Sequence, residues 1–228
     1  MNKLKNARQT PAHYEHNPDL LGIIPIDTRS IIEVGCSYGA LAREYKKINP
    51  SCYYVGVDID DSYTAIASDY CDICYNIDLE QADEAFWQKA GDRQGWIFGD
   101  TLEHFRDPWT ILRKIVKVLP SDGYVAACVP NAQHWSVQAR LSIGDFRYAD
   151  SGLFDRTHLR WFTRQTLLEL FQDCGLQIIE GHPRIFHEPQ REDFLAVIEE
   201  MARVAGVDPQ LAVQDSIPLQ YVIRAIRA

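Results

Sequence analysis

The 228-residue chain has no basic block, no long apolar run and no second cysteine pair beside its lone CxxC. Each absence narrows what the protein can do. Lys and Arg total 23 against 32 Asp and Glu, giving a formal net charge of −9. Affinity for a phosphate backbone comes mostly from Lys and Arg, so nucleic acid is not the expected partner. The first residues, Met1-Asn2-Lys3-Leu4-Lys5-Asn6, are polar, and no apolar core of a signal peptide follows them. No apolar stretch approaches the roughly 20 residues of a membrane span, so no span is expected and a cytoplasmic location is. The six cysteines, at positions 36, 52, 71, 74, 128 and 174, are scattered through apolar or strand-like surroundings, as reduced thiols in a cytosol are. Cys71-Asp72-Ile73-Cys74 stands alone, and a structural zinc site takes four ligands, so no zinc or redox role is assigned to it. Repeats, low-complexity stretches and flexible linkers are also missing. With 46% hydrophobic residues, one α/β domain over 1–228 is expected. The oligomeric state is left open.

What is present is an alternation of strands and helices. Short apolar runs at Ser30–Val34, Cys52–Val57, Ile73–Ile77, Gly95–Gly99 and Gly123–Val129 read as strands. Helices are expected at Ala40–Ile48 and at Pro108–Leu119, the latter with Pro near its start. Such βαβ units imply a parallel sheet covered on both faces. Residues 131–162 break the rhythm with aromatics, His and Arg, and are long for a connection, so they are expected to form a lid or acceptor-binding element. After them come a helix at Arg164–Cys174, a sixth strand at Leu176–Glu180, an added helix at Glu192–Ala205 and a last strand at Leu219–Ile226. Residues 190–217 are expected to add a helical wall to the same pocket.

Between the first strand and the first helix lies Glu33-Val34-Gly35-Cys36-Ser37-Tyr38-Gly39. Glycines there permit a tight turn and close approach of a ligand to the main chain, with helix N–H groups facing it. A dinucleotide fingerprint G-x-G-x-x-G would need Gly where Ser37 stands. Gly35-Cys36-Ser37-Tyr38-Gly39 also fits G-x-S-x-G, the nucleophile elbow of α/β-hydrolases. Only 36 residues precede Ser37, however, too few for the strands and oxyanion loop such a fold builds first.

The third reading uses more of the chain. The segment resembles motif I of class I S-adenosylmethionine methyltransferases, with Ser37 in place of the middle Gly. Further matches follow in order: Gly56-Val57-Asp58; Asn76-Ile77-Asp78-Leu79; Gly99-Asp100-Thr101-Leu102-Glu103-His104-Phe105-Arg106-Asp107-Pro108; and Pro120-Ser121-Asp122-Gly123. Any one of these is common, but five in order over residues 31–131 are specific. The resemblance implies a Rossmann-like α/β fold with a seven-stranded, mostly parallel sheet, helices on both faces and an antiparallel last strand. It implies S-adenosylmethionine as cofactor, held by Glu33, Gly35, Ser37, Gly39, Asp58, Ile59, Asp78, Leu79, Asp100 and Thr101. Asp58 would accept hydrogen bonds from the ribose hydroxyls, the task of the equivalent acid in dinucleotide folds.

Pro130-Asn131, Gly144-Asp145-Phe146-Arg147-Tyr148 and Gly152-Leu153-Phe154-Asp155-Arg156-Thr157-His158-Leu159-Arg160-Trp161-Phe162-Thr163 are similar to the type 11, 12 or 23 branch, which includes ubiquinone and glycan O-methyltransferases. The acceptor this implies is a small molecule or glycan, methylated on a hydroxyl. A hydroxyl must lose its proton, and His is the usual base near neutral pH. His104 and His158 are the candidate catalytic residues, each with a structural hydrogen-bonding role as the alternative. His134 is expected to be structural, and Arg156 and Arg160 to pair with Asp150 and Asp155, with holding an anionic acceptor as the alternative. His13, Tyr14 and His16 lie in an N-terminal segment, 1–29, that in this fold often covers the cofactor. No metal site is expected, because Asp100, Glu103 and His104 lack a strong ligand spacing. The competing functional class is a scaffold protein that binds S-adenosylmethionine without turnover, with Ser37 as its support.

Overall fold

The computed structural model describes residues 11, 14–90 and 92–228. Seven strands form one sheet: β1 (Ser30–Val34), β2 (Tyr53–Asp58), β3 (Ile73–Asn76), β4 (Gly95–Gly99), β5 (Tyr124–Pro130), β6 (Leu176–Arg184) and β7 (Gln220–Arg227). Their order is β3-β2-β1-β4-β5-β7-β6. Neighbours from β3 to β5 pair in parallel, while β7 runs antiparallel to both β5 and β6. The expected sheet is therefore present, with the last strand slotted between the fifth and sixth. Strand order reverses between β1 and β4, which creates the crevice where α/β sheets bind ligands.

The helices are α1 (Pro18–Ile23), α2 (Ala40–Ile48), α3 (Asp61–Ala67), α4 (Glu84–Ala90), α5 (Pro108–Val118), α6 (Trp135–Ser142), α7 (Arg164–Asp173), α8 (Glu192–Ala205) and α9 (Pro209–Ser216). Side chains alternate between the two faces of each strand. Ile31, Tyr54, Ile97, Tyr124 and Ala126 pack on one side with Leu20 of α1 and with Leu41 and Tyr45 of α2. Ile32, Val55, Trp96, Phe98 and Val125 pack on the other with α4, α5 and α7. Because both faces are covered, the central strands read as unbroken apolar runs instead of an alternating pattern. Trp87 of α4 stacks on Trp96 of β4, with ring centroids 5.7 Å apart, and anchors the second layer.

Three local features differ from the sequence reading. Residues 131–162 contain α6, which His134 caps by accepting from the Ser136 amide. The sixth strand continues past Glu180 to Arg184, with an irregularity between Ile178 and Glu180. Pro183 has no N–H to donate, and the strand's place at the sheet edge accommodates it. Helices α8 and α9 pack on each other, and α8 reaches α6, where Trp135 and Phe194 lie 5.3 Å apart. All six cysteines are free thiols, and five of them are buried.

Candidate active site

A cleft of about 930 Å³ runs along the carboxyl ends of β1, β2 and β4. This is ample for a drug-sized ligand, which typically occupies roughly 300–1,000 Å³. Its walls include Glu33 to Ser37 at the end of β1, Val57 to Ile59 at the end of β2, Ile77 to Glu80 after β3, and Gly99 to Thr101 with Glu103 to Arg106 at the end of β4. Nine of the ten expected cofactor residues line it, and His104 and His158 do as well. Gly39 stands one step behind the wall, as the residue that caps α2 with a left-handed backbone.

The loop after β1 is shaped by its backbone. The amides of Gly35 and Cys36 both donate to the Val57 carbonyl, at 2.8 and 3.1 Å, which holds the loop against β2. Gly35 has φ +76°, and a Cβ there would lie 2.6 Å from Thr101 Oγ1. That hydroxyl is committed to donating to the Val34 carbonyl at 2.9 Å, so glycine is required on conformation and on space. Ser37 adopts φ +49°, a region costly for any residue with a side chain. Its amide donates to Asp58 Oδ2 at 2.9 Å, and its own hydroxyl is buried without a hydrogen-bond partner. Ser37 Oγ therefore has no hydrogen-bonded histidine of the kind a serine nucleophile requires, and the hydrolase reading fails on this point.

Two acids at the strand ends are held differently. Glu33 accepts from the Tyr54 hydroxyl at 2.9 Å, yet burial raises its carboxyl to about 8, so it is neutral at pH 7. Asp58 is also raised by burial, and the amides of Asp60 and Ser37 that it accepts counter this. Asp78 caps the turn Leu79–Gln81 by accepting from the Glu80 amide at 3.0 Å and from Gln81 Nε2 at 2.7 Å. Asp100, with φ +52°, receives a close hydrogen bond from Gln220 Nε2.

At the far end of the cleft, the turn Leu102–His104 meets the segment that follows α6. The amides of Leu159 and Arg160 both donate to the Glu103 carbonyl, at 2.8 and 2.9 Å, and pin the two segments together. The rings of His104 and His158 lie 4.9 Å apart, edge to face. His104 Nδ1 is 3.2 Å from the Thr157 carbonyl, so that nitrogen carries the proton and the Nε2 lone pair is left over. Burial lowers both imidazoles, and His158, facing His104, falls to about 4. Burial raises the Glu103 carboxyl well above its usual range, with Asp100 adding to the effect. Glu103 and His158, 3.8 Å apart, are accordingly a neutral pair rather than an ion pair.

Other expectations resolve away from this end. His134 is buried between Ser136 and Glu188, a structural role. Arg156 pairs with Asp150, whereas Arg160 donates to the backbone carbonyls of Leu159 and Arg106 instead of a carboxylate. Ser151 to Leu153 and Asp155 to Leu159 of the 131–162 stretch line the cleft, but among the described residues no part of 190–217 does. His16 lines it and the Tyr14 ring lies tilted against Tyr38, centroids 4.8 Å apart, while His13 lies outside the described residues. Two further wall residues are Glu103, weighed from the sequence only as a metal ligand and set aside, and Gln220, which was not singled out. Glu103 sat in plain view beside His104. Gln220 carries no motif, and only the insertion of β7 beside β5 brings it to Asp100.

A mostly parallel α/β sheet with a glycine loop and an acid at the next strand end defines a nucleotide-type cofactor fold. Residues 7–180 match the family described as methyltransferase domain, and the chain belongs to that family. No curated protein matches it in sequence. In structure it resembles an S-adenosylmethionine-dependent methyltransferase from Listeria monocytogenes, described as putative, at TM-score 0.61 and 13% identity, over 92% of this chain and 97% of the other. A second, from Mesorhizobium loti, gives TM-score 0.60 and 15% identity, over 92% and 96%. The mitomycin 7-O-methyltransferase MmcR gives TM-score 0.54 and 14% identity, over 92% of this chain and 52% of that one. The protein is an enzyme, and S-adenosylmethionine is its cofactor. The cleft suits that ligand. Ser37 Oγ is a buried hydroxyl with nothing to bond, and each Asp58 oxygen, having accepted one amide, keeps a second lone pair.

Proposed function

We propose that this methyltransferase methylates a hydroxyl of a small molecule or glycan, bound where His104, His158 and Glu103 meet. The observation that carries the reading is that paired, half-buried imidazoles line one end of the cleft. The bound cofactor supplies a sulfonium-activated methyl carbon. The chain aligns an oxygen with that carbon in a dry pocket, an effect worth roughly 7–11 kcal/mol. His104 or His158 assists removal of the hydroxyl proton. Glu33, Ser37 and Thr101 are assigned to the methionine end of the cofactor, Asp58 to the ribose, and Ile59, Asp78 and Leu79 to the base. Gly35 and Gly39 shape the loop, and Asp100 closes the floor.

Leu153 and Leu159 give the acceptor end apolar surface. The net charge of −9 disfavours a nucleic-acid acceptor. One structurally similar protein is named for O-methylation of mitomycin, a small molecule. No helix among the described residues is long and apolar enough to cross a membrane, and free thiols suit the reducing cytoplasm we assign. The test is a panel of phenols, sugars, amines and RNA offered with methyl-labelled cofactor. Label on hydroxyl acceptors alone is expected; label on nitrogen, carbon or RNA instead would overturn the reading.

A further inference from the structure

Glu103, His104 and His158 are more than a pair of bases and a neighbour: we propose that they form a site for a divalent transition-metal cation. One donor atom from each, a carboxylate oxygen and two ring nitrogens, falls within 4.8 Å of the others. Ligands on opposite sides of one ion, with bonds of about 2.1 Å, stand about 4.2 Å apart, so small side-chain movements close the site.

Two further observations point to a ligand at this spot. The first is Glu103 itself. Its side chain is 2% exposed, and neither carboxylate oxygen has a hydrogen-bond partner among the described residues. Buried carboxylates are otherwise held by donors, and His158 Nε2 at 3.8 Å is too distant to serve as one. The second is how the His104 imidazole is oriented. His104 directs Nδ1 to the Thr157 carbonyl at 3.2 Å. Metal-ligating histidines are held in this way, with one nitrogen donating to a carbonyl and the other presenting its lone pair to the ion. The backbone bonds from Leu159 and Arg160 to Glu103 fix the spacing before any ion arrives. Asp100 and Asp155 act electrostatically on Glu103, and their negative charge favours a cation.

Two imidazoles and one carboxylate suit Mn²⁺, Fe²⁺, Co²⁺ or Zn²⁺ and leave coordination positions open. This inference deepens the hydroxyl reading and rests on it. The acceptor hydroxyl takes an open position, and the cation's charge lowers its hold on the proton, which leaves to solvent. The oxygen then attacks the sulfonium methyl carbon. The O–C bond forms, the C–S bond breaks, and the sulfur departs as a neutral thioether with the bonding pair. One proton is released per turnover and the cation is unchanged. With the ion bound, both histidines act as its ligands, and the ion supplies the acidification of the hydroxyl otherwise assigned to one of them.

The experiment uses the full chain, stripped with a chelator, with S-adenosylhomocysteine present and Mn²⁺ titrated in. Binding is followed by loss of the free-ion paramagnetic resonance signal. One Mn²⁺ per chain is expected, weakened at least about tenfold in both Glu103→Gln and His158→Gln. Each variant should still bind S-adenosylhomocysteine within about threefold of wild type, which shows that it folds. No stoichiometric binding by wild type, or equal affinity in folded variants, would overturn the site. Hydroxyl methylation undiminished by chelation would also overturn it, while leaving the acceptor reading intact. Stoichiometric Mn²⁺ with methyl transfer only to non-hydroxyl acceptors would uphold the site and overturn the acceptor reading.

Discussion

The Ser37 amide donates to Asp58 Oδ2 at 2.9 Å, so the acid that ends β2 also fixes the loop that follows β1. In the proposed assignment the same carboxylate also holds the cofactor's ribose. Asp58→Ala is expected to weaken S-adenosylhomocysteine binding at least tenfold, about 1.4 kcal/mol, by calorimetry. Asp58→Asn keeps an acceptor for the Ser37 amide and should lose less. Affinity equal to wild type in the alanine variant would remove Asp58 from the ribose.

Ser37 pays for its φ of +49° and for a buried hydroxyl without a partner. Ser37→Gly relieves the conformational cost of roughly 1–2 kcal/mol, offset by the greater freedom of glycine in the unfolded chain. The net expected gain is about 1 kcal/mol in denaturant unfolding without ligand. Cofactor affinity should fall in the same variant, since the hydroxyl is lost from the cleft. A less stable Ser37→Gly protein would mean that the backbone there is unstrained.

Gly56 sits among three thiols: a Cβ on it would lie 2.9 Å from Cys36 Sγ and 3.1 Å from both Cys71 Sγ and Cys74 Sγ. Gly56→Ala overpacks this cluster and is expected to cost about 1–3 kcal/mol in thermal or denaturant unfolding. Combining it with Cys74→Ala should recover part of the loss, because the added methyl then occupies the space the sulfur leaves. Two costs that simply add would show that the clash lies elsewhere.

Glu33 gives a pH signature. Its folded carboxyl lies near 8 against an unfolded value near 4.5, with burial the main cause and the Tyr54 hydrogen bond opposing it. The other ionisable groups acting on it are Asp58 and Cys74, and its charge in turn acts on Cys36 and Cys71. Between those two values the native state holds a proton that the unfolded chain has released. Stability from this group is therefore greatest below the unfolded value and falls as pH rises towards 8. Glu33→Gln removes the titration, so its stability should decline less than wild type between pH 5 and pH 8. Parallel curves would show that Glu33 is ionised in the folded protein.

Much of the cofactor half was legible because it is local in sequence. A glycine turn after an apolar run, an acid at the next strand end and Asp107-Pro108 opening a helix each act within a few residues. Asp107 caps α5 by accepting from the Thr110 amide at 3.0 Å, with Pro108 in the first turn. The acceptor half depends on long-range contacts. His104 and His158 are 54 positions apart and meet only because the Glu103 carbonyl collects the Leu159 and Arg160 amides. Asn131, just after β5, is buried, and its side-chain amide donates to the distant Asp215 and Pro218 carbonyls, both at 2.8 Å. Helix α6 has its polar and apolar residues weakly segregated, so periodicity did not reveal it.

The most direct measurement of the central claim is turnover of a hydroxyl acceptor with methyl-labelled cofactor by wild type, His104→Gln and His158→Gln, alongside S-adenosylhomocysteine affinity for each. Label in a methoxy group is expected. At least one of the two substitutions should slow its appearance roughly 10²–10⁴-fold, with cofactor affinity held within about threefold. Full turnover in both variants, or label on nitrogen, carbon or RNA, would contradict methyl transfer to a hydroxyl at this histidine pair.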